Sequence, residues 1–401
     1  MKLAHLADLH LGFRQFERQT PRGGNQREAD IAEAFRRAVD DLLVQKPDLI
    51  VVAGDVFHSV RPSNPAILFL FQQLQRLRGA LSATPIVMIA GNHDTPRSVE
   101  TGAILRLYEA LGIEVVLDEA RRLVFPNLDC SVLAVPHQAL MQAERPALRP
   151  ERGGGATRNV LVLHGVLDDV IDPEWSVSDY GSARLTRAEL SAAQWDYVAL
   201  GGYHVRREMA ANAWYSGSLE YVNPRAWVQL REEEERRVPG KGYLLVELPG
   251  ARTTFRAIEP VRALIDLPAI HGAGLTAKQL DHEIARRVSE CRPAIPDQVV
   301  RLVVYDVSRA TARDLNHTAI RQYKASALNF NLDIRRPEVR SGSAPTEAIG
   351  GKRQALRDTV REFLSRRPLD ADLDRAEFVG QGVEYFDRAG LETTPPLPEQ
   401  R

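Results

Sequence analysis

Short runs of apolar residues recur along the first half of the chain, and each run ends at a cluster of polar residues. We predict buried β-strands from these runs, at residues 3–7, 49–53, 86–90, 160–163 and 197–200. Other segments repeat their apolar residues with the ~3.6-residue period of a helix, and these are residues 27–45 and 65–77. Strands that alternate with helices predict an α/β sandwich with buried strands.

The pattern changes towards the second half of the chain. Residues 143–157 have no periodicity and predict a loop, whereas residues 240–248 and 253–258 predict a closing β-hairpin. A new unit is expected from Val261, with a helix at 275–289 and strands at 299–305 and 325–334. Residues 341–351 predict a linker, 352–366 an amphipathic helix, and 393–401 a frayed, proline-rich end. We therefore divide the chain into residues 1–260, 261–340 and 341–401.

Composition narrows the class of protein. The 401 residues are 44% hydrophobic, which is enough for a sizeable core, and the formal net charge of −1 gives no global sign of nucleic-acid binding. Two cysteines, Cys130 and Cys291, are too few for a disulfide framework and fit a reducing compartment. The N-terminus does not resemble a signal peptide, and no apolar run approaches ~18 residues. By elimination we expect a cytoplasmic protein without a membrane span.

Side chains suited to metal binding follow the predicted strands. They are Asp8, His10, Asp55, Asn92, His164 and His204. The carboxyl ends of strands are where α/β sheets place their sites, so these side chains are expected to meet. Carboxylates and imidazoles suit manganese, iron or zinc, and burying so many ionisable groups without a metal would be costly. A single Asp-x-His or strand-end histidine would be ordinary structure, but the series of clusters predicts a metal site.

The order of these motifs resembles the calcineurin-like metallophosphoesterases. Within that family, DLHLG at 8–12, GDVFH at 54–58 and YSGSLE at 215–220 resemble the SbcD type, a bacterial nuclease subunit that works in double-strand-break repair. The resemblance spans residues 8–220 and is looser beyond residue 260. It implies a four-layer α/β/β/α sandwich for residues 1–260, a smaller α+β capping, DNA-binding domain at 261–340 and a helical tail at 341–401.

The resemblance also implies two divalent metal ions, for which we expect Mn²⁺, and phosphodiester hydrolysis by a metal-activated hydroxide. The first ion would be held by Asp8, His10, Asp55 and His204. The second would be held by Asp55, Asn92, His164 and a further histidine, but that last position is Gly202 in this chain. A water, a neighbouring side chain such as Tyr203 or a distant histidine would fill the gap, or the second ion would be lost. We expect a weakened second site.

The same resemblance suggests three catalytic residues. His93 would protonate or stabilise the leaving group, Asp94 would fix the tautomer of His93, and His58 would lie near the phosphate or support the site structurally. Two other histidines are not expected to be ligands. His5 lies on the opposite face of its strand from His10, and His137 follows a proline in a separate segment.

Basic residues are candidates for DNA contacts. Arg206 and Arg207 follow His204 directly, whereas Arg335 and Arg336 lie in the capping region. Phosphate contacts need such groups, although a solvated surface has the same composition. We assign no function to the charge run at residues 232–237.

Two apolar segments suggest partners. Residues 67–71 are consecutively apolar, so they cover nearly the whole circumference of the predicted helix and suggest a homodimer, as the SbcD resemblance implies. The apolar stripe of residues 352–366 and the aromatic residues after it would dock on an SMC-like coiled-coil ATPase of the SbcC type. Packing against the protein's own body explains that stripe equally well.

The sequence thus favours a metal-dependent DNA exonuclease or endonuclease that acts with an SMC-like ATPase. A small-molecule phosphodiesterase or phosphatase shares the same metal chemistry, but residues 261–401 exceed what such an enzyme needs. A scaffold subunit with weakened catalysis is the other alternative. Gly202 supports it, and the presence of His93 argues against it.

Overall fold

The structure is a computed structural model that describes residues 1–96, 103–150, 156–170, 181–224, 226–337, 348–365 and 374–392. The chain forms two compact units, Met1–Arg335 and Arg336–Arg401. In the described residues no helix has the length and apolar character needed to cross a membrane. The proline-rich end at 393–401 and residues 341–347 of the linker predicted at 341–351 lie outside the described residues, whereas residues 348–351 are helical.

Two six-stranded sheets form the body of the first unit. The first has the order β14-β13-β1-β2-β3-β4, with β14 Arg252–Ala257, β13 Gly242–Glu247, β1 Lys2–Leu6, β2 Leu49–Ala53, β3 Ile86–Ile89 and β4 Glu114–Val116. The second has the order β11-β12-β10-β7-β6-β5, with β11 Arg207–Ala210, β12 Ala213–Tyr215, β10 Tyr197–Gly201, β7 Arg158–His164, β6 Cys130–Val135 and β5 Arg121–Phe125. A separate pair joins β8 Val166–Leu167 to β9 Arg184–Leu185.

Three apolar clusters define the layers of this body. The middle cluster joins the facing sides of the two sheets, for example Val51 with Val162. On the outer side of the first sheet, a second cluster includes residues of α1 Gln26–Gln45 and α2 Asn64–Ala80. On the outer side of the second sheet, a third cluster includes residues of α3 His137–Met141 and α4 Arg187–Leu190. The predicted four-layer α/β/β/α sandwich is confirmed, although the helices on the second sheet are short.

A smaller sheet follows in the same unit. Its strands β15 Leu264–His271, β16 Val299–Tyr305 and β17 Asn329–Ile334 are all parallel. The crossovers contain α6 Ala277–Glu290, α7 Arg309–Arg313 and α8 His317–Ser326, and an apolar cluster joins these helices to the sheet. Between the two sheet systems lies α5 Ala226–Glu235. This arrangement agrees with an additional domain after the sandwich, whereas the exact boundaries at 260 and 340 remain predictions.

Among the residues that the structure describes, the second unit contains two helices, α9 Ala348–Ser365 and α10 Arg375–Glu392. The predicted amphipathic helix corresponds to α9. Arg357 of α9 forms an ion pair with Asp387 of α10 at 2.9 Å. An added Cβ at Gly382 would lie 2.3 Å from Leu364 Cδ1, so the two helices approach each other closely.

Candidate metal centre

Three of the predicted ligands lie in the turns that directly follow β1 and β2. Asp8, His10 and Asp55 have left-handed backbones, with φ of 53°, 44° and 49°. Such conformations are costly for residues with side chains and persist where the surroundings hold them. Here Asp8 N donates to Gly54 O at 3.0 Å. His10 N donates to Asp55 O at 2.9 Å, so the two turns are joined directly.

The four side chains predicted for the first ion form one compact group. The ligand atoms of Asp8, His10, Asp55 and His204 all lie within 4.8 Å of one another, and all four residues are buried. His10 Nε2 is 3.1 Å from His204 Nε2 and 3.5 Å from Asp55 Oδ2. Burial and repulsion from neighbouring histidines hold the pKa of His10 well below its usual range. Neutral imidazoles and carboxylates that converge in this way fit a divalent metal ion.

Asp55 also faces the residues predicted for the second ion. Its Oδ2 is 3.5 Å from His164 Nε2, which in turn is 2.9 Å from Asn92 Oδ1. His164 Nδ1 is 2.9 Å from Ala53 O. Because a carbonyl oxygen only accepts, this Nδ1 carries a proton, and Nε2 is the ring nitrogen that faces Asp55 and Asn92. Although burial alone lowers the pKa of His164, Asp55 and Asp8 raise it above its usual value.

Close packing at two glycines brings these groups together. A Cβ added at Gly91 would lie 2.1 Å from Asp55 Oδ1, and one added at Gly201 would lie 1.8 Å from Ala53 O. Both distances are far below van der Waals contact. Only glycine therefore lets the turn after β3 and the end of β10 approach β2 so closely.

Gly202 lies beside the second half of the centre. Its φ is 101°, and a Cβ there would lie 3.3 Å from His164 Nε2. Its backbone N donates to Asp8 Oδ1 at 2.9 Å. Gly202 thus orients a predicted ligand of the first ion through its backbone, but it offers no side chain to the second.

Two further histidine rings, those of His58 and His93, border the group. His58 Nδ1 is 3.3 Å from His10 Nδ1, and the His58 ring stacks on that of His93 with centroids 5.0 Å apart. His93 Nδ1 donates to the backbone oxygen of His58 at 2.8 Å. The expectation that Asp94 fixes the His93 tautomer is therefore corrected, because a backbone carbonyl makes that contact. His58 supports two rings at once, one through its side chain and one through its backbone.

Asp94 has a different task in the structure. Its carboxylate accepts hydrogen bonds from the backbone N–H groups of Val56, Phe57 and Gly91, at 2.9–3.0 Å. Burial and the charge of Asp55 raise the pKa of Asp94 to about 6. Asp94 therefore joins the turn after β2 to the turn after β3.

Buried polar residues of α5, together with Lys241 directly before β13, hold His204, and the sequence pattern did not reveal them. Gln229 Nε2 lies 2.9 Å from His204 Nδ1, and Lys241 Nζ donates to His204 O at 2.9 Å. Lys241 is 2% exposed and pairs with Glu233 at 2.8 Å. Burial and the charge of Lys241 lower the pKa of His204 to about 3. The charge run at 232–237, to which no function was assigned, thus includes buried Glu232 and Glu233.

The remaining histidines occupy distinct places. His5 is fully buried, and its Nδ1 lies 2.9 Å from the hydroxyl of Tyr197. His137 begins α3 and is 6% exposed, with its ring centroid 6.5 Å from that of His164. His5 thus contacts the neighbouring sheet, whereas His137 is next to a predicted ligand.

Three of the four candidate arginines contact other protein groups. The Arg206 guanidinium lies over Trp214 and Phe255, 5.6 and 5.0 Å from their ring centroids. Arg207 lies over the Tyr203 ring at 5.6 Å. Arg335 pairs with Asp333 at 2.9 Å, and Arg336 is exposed at the start of the second unit. Their contribution to DNA binding stays a prediction.

Comparison with known proteins agrees with this geometry. Residues 1–204 match the family described as calcineurin-like phosphoesterase. The chain is 26% identical to the DNA double-strand break repair protein Mre11 of Methanosarcina mazei over 379 residues, covering 92% of this chain and 55% of that protein.

Two further relatives carry the same name. The protein of Archaeoglobus fulgidus is 29% identical, over 67% of this chain and 61% of its own length. That of Haloferax volcanii is 27% identical, over 92% of this chain and 76% of its own length. These organisms are archaea, whereas the motifs resemble a bacterial type. The chain spans 55% and 61% of the Methanosarcina and Archaeoglobus proteins.

Proposed function

Because the chain belongs to the calcineurin-like phosphoesterase family, we propose that it is a metal-dependent DNA exonuclease or endonuclease that acts in double-strand-break repair. The observation that carries the proposal is the position of Asp55. One oxygen of its carboxylate, Oδ2, lies 3.5 Å from His10 Nε2 and 3.5 Å from His164 Nε2. A carboxylate between two groups of ligands is suited to bridging two cations.

The predicted ligands divide into two sets around that carboxylate. The first is complete, with Asp8, His10, Asp55 and His204. The second consists of Asp55, Asn92 and His164. Oxygen and imidazole ligands suit Mn²⁺, which we propose as the metal. Divalent ions bound there supply an activated water and stabilise the charge of the phosphate.

His93 is the group proposed to act on the leaving oxygen. Its Nδ1 proton is held by the backbone oxygen of His58, so Nε2 is the nitrogen available to exchange a proton with substrate. Its ring meets that of His10 edge-on, with centroids 4.8 Å apart. His93 thus lies next to the metal ligands without belonging to their compact group. General acid catalysis at this position would release the 3′-oxygen.

DNA is proposed as the substrate for two reasons. The matched relatives are named as DNA double-strand break repair proteins. In addition, the parallel sheet of β15, β16 and β17 extends the chain beyond the sandwich, and Arg335 directly follows its last strand. Arg206, Arg207, Arg335 and Arg336 are the proposed contacts to the backbone phosphates.

The protein is further proposed to work in an assembly. Leu68 of α2 is 62% exposed, which supports a homodimer through this helix. Phe363 of α9 and Tyr385 of α10 are 61% and 70% exposed, which supports docking on an SMC-like coiled-coil ATPase. Exposed aromatic and aliphatic side chains of this kind are typical of interfaces.

The first experiment combines the purified chain with Mn²⁺ and end-labelled DNA, alongside a small chromogenic phosphodiester. We expect cleavage of both substrates, and His93→Ala should lower the rate on DNA by roughly 10²–10⁴-fold, as for loss of a general acid. His317→Ala is the matched control, because His317 is an exposed histidine of α8.

One result contradicts the nuclease proposal. If the chain hydrolyses the small ester but never cleaves DNA, with or without an SMC-like ATPase, then its substrate is a small molecule. A rate on DNA that is equal in His93→Ala and wild type would instead remove His93 from the mechanism.

A further inference from the structure

His137 is a buried histidine that belongs neither to the sequence motifs nor to the first set of predicted ligands. It is 6% exposed, and among the described residues none forms a hydrogen bond with its Nδ1. A buried ring nitrogen without a partner costs free energy. The sequence argued against a role in metal binding, because His137 lies in a separate segment after a proline.

The fold brings this residue to the second half of the centre. The backbone N of His137 donates to Ala90 O at 3.0 Å. Ala90 is only two residues before the predicted ligand Asn92. The ring of His137 meets that of His164 at 80°, with centroids 6.5 Å apart. Two imidazoles on opposite sides of one ion, each ~2.1 Å from it, have ring centres roughly 6.5 Å apart. The separation of the two rings is therefore compatible with binding of one shared ion.

The other candidates for the missing ligand are less suitable. Gly202 has no side chain, and its φ of 101° disfavours any residue that has one. The Tyr203 hydroxyl donates to Glu232 at 2.5 Å, and its ring packs against Tyr215 with centroids 5.4 Å apart. Tyr203 is thus engaged on the outer side of the second sheet.

We propose that His137 is the fourth protein ligand of the second metal ion, in place of the side chain that Gly202 lacks. This inference rests on the metal centre of the proposed function. The second set then consists of Asp55, Asn92, His164 and His137. Their carboxylate, amide and imidazole groups suit Mn²⁺.

The test is a calorimetric titration of Mn²⁺ into the metal-free full-length chain, followed by electron paramagnetic resonance of the loaded protein. Wild type should bind two ions and give the signal of a spin-coupled pair. His137→Phe keeps a ring of similar size without a ligand atom. We expect it to bind the first ion with unchanged affinity, to weaken the second by at least roughly tenfold, and to lose the coupled signal.

Two more variants make the result decisive. His137→Ala should behave like His137→Phe, and the metal-free melting temperature of His137→Phe identifies any loss of folding. His317→Ala, an exposed histidine, should match wild type. If His137→Phe is folded and still binds two ions with wild-type affinity and coupling, or if wild type binds only one ion, the inference is wrong.

Failure of this inference is distinguishable from failure of the proposed function. Unchanged Mn²⁺ binding in His137→Phe, together with DNA cleavage by wild type, overturns the ligand role alone. Two bound ions in wild type and one in His137→Phe, without any DNA cleavage, overturn the nuclease proposal alone.

Discussion

Single residues shape the centre mainly through backbone geometry. Asp8, His10 and Asp55 adopt left-handed conformations, and Gly202 holds Asp8 through its backbone N–H. The sequence shows the types of these residues but not the conformations, because strained backbones are maintained by contacts between distant turns. For the same reason, the backbone oxygen of His58, and not Asp94, holds the ring of His93.

Gly91→Ala tests how strictly the site depends on close approach. The new methyl group would lie 2.1 Å from Asp55 Oδ1 and 2.4 Å from Asp55 N, so the carboxylate must move away from both sets of ligands. We expect Mn²⁺ affinity, measured by calorimetry, to fall by at least roughly tenfold, as expected when metal ligands are misoriented.

The control for that variant is Gly79→Ala. Gly79 lies in α2, and an added Cβ there has no atom within 4 Å. Replacing a helical glycine by alanine stabilises by about 0.4–1 kcal/mol when the backbone tolerates it, so metal binding should be unchanged. Wild-type affinity in Gly91→Ala would show that Asp55 does not need its observed position.

Secondary-structure elements differ in how clearly the sequence predicts them. Helix α1 begins with Asn25, which accepts from Arg27 N and Glu28 N, and its buried residues recur at helical spacing. By contrast, α5 has acidic residues on a buried face, where Glu233 pairs with Lys241. A charge run normally indicates a solvated surface, so only the buried partner Lys241, directly before β13, reveals that this helix supports His204.

Helix α2 is the predicted interface for self-association. Leu70, Leu74 and Leu77 face the core, whereas Leu68 is 62% exposed. If Leu68 is buried between two copies, its removal costs about 1.5–3 kcal/mol, which is roughly ten- to a hundredfold in the dimer dissociation constant. We expect Leu68→Glu to sediment as a monomer at micromolar concentrations at which wild type is a dimer.

Met141→Glu is the comparison for this helix. Met141 is 53% exposed and belongs to α3, on the other side of the sandwich. The Met141→Glu variant should leave the dimer intact. A wild-type chain that sediments only as a monomer, or a dimer that survives Leu68→Glu, would exclude α2 as the interface.

At the scale of the whole molecule, the sandwich and the parallel sheet share one compact unit, and α9 with α10 forms another. In the helical unit, Val383 is 5% exposed, but Tyr385 is 70% exposed. We expect Tyr385→Glu to weaken binding of an SMC-like coiled-coil ATPase by at least roughly tenfold in calorimetry, because aromatic side chains dominate interface energies. Metal binding should not change.

Val124→Glu provides the matching control, since Val124 is 47% exposed on β5 of the sandwich. It should bind the ATPase like wild type. Equal affinity of Tyr385→Glu and wild type would show that the exposed face of α10 is not the docking surface.

The sequence by itself determined the sandwich and the four side chains predicted to hold the first ion. Buried strands are continuous apolar runs, and the ligands follow their carboxyl ends at fixed positions, so both are local properties of the chain. The tertiary structure alone decided which distant groups act on them. Lys241 reaches His204, and His137 reaches the side of His164, through contacts between separate elements. Such contacts leave no periodicity or spacing in the sequence, because only folding brings those residues together.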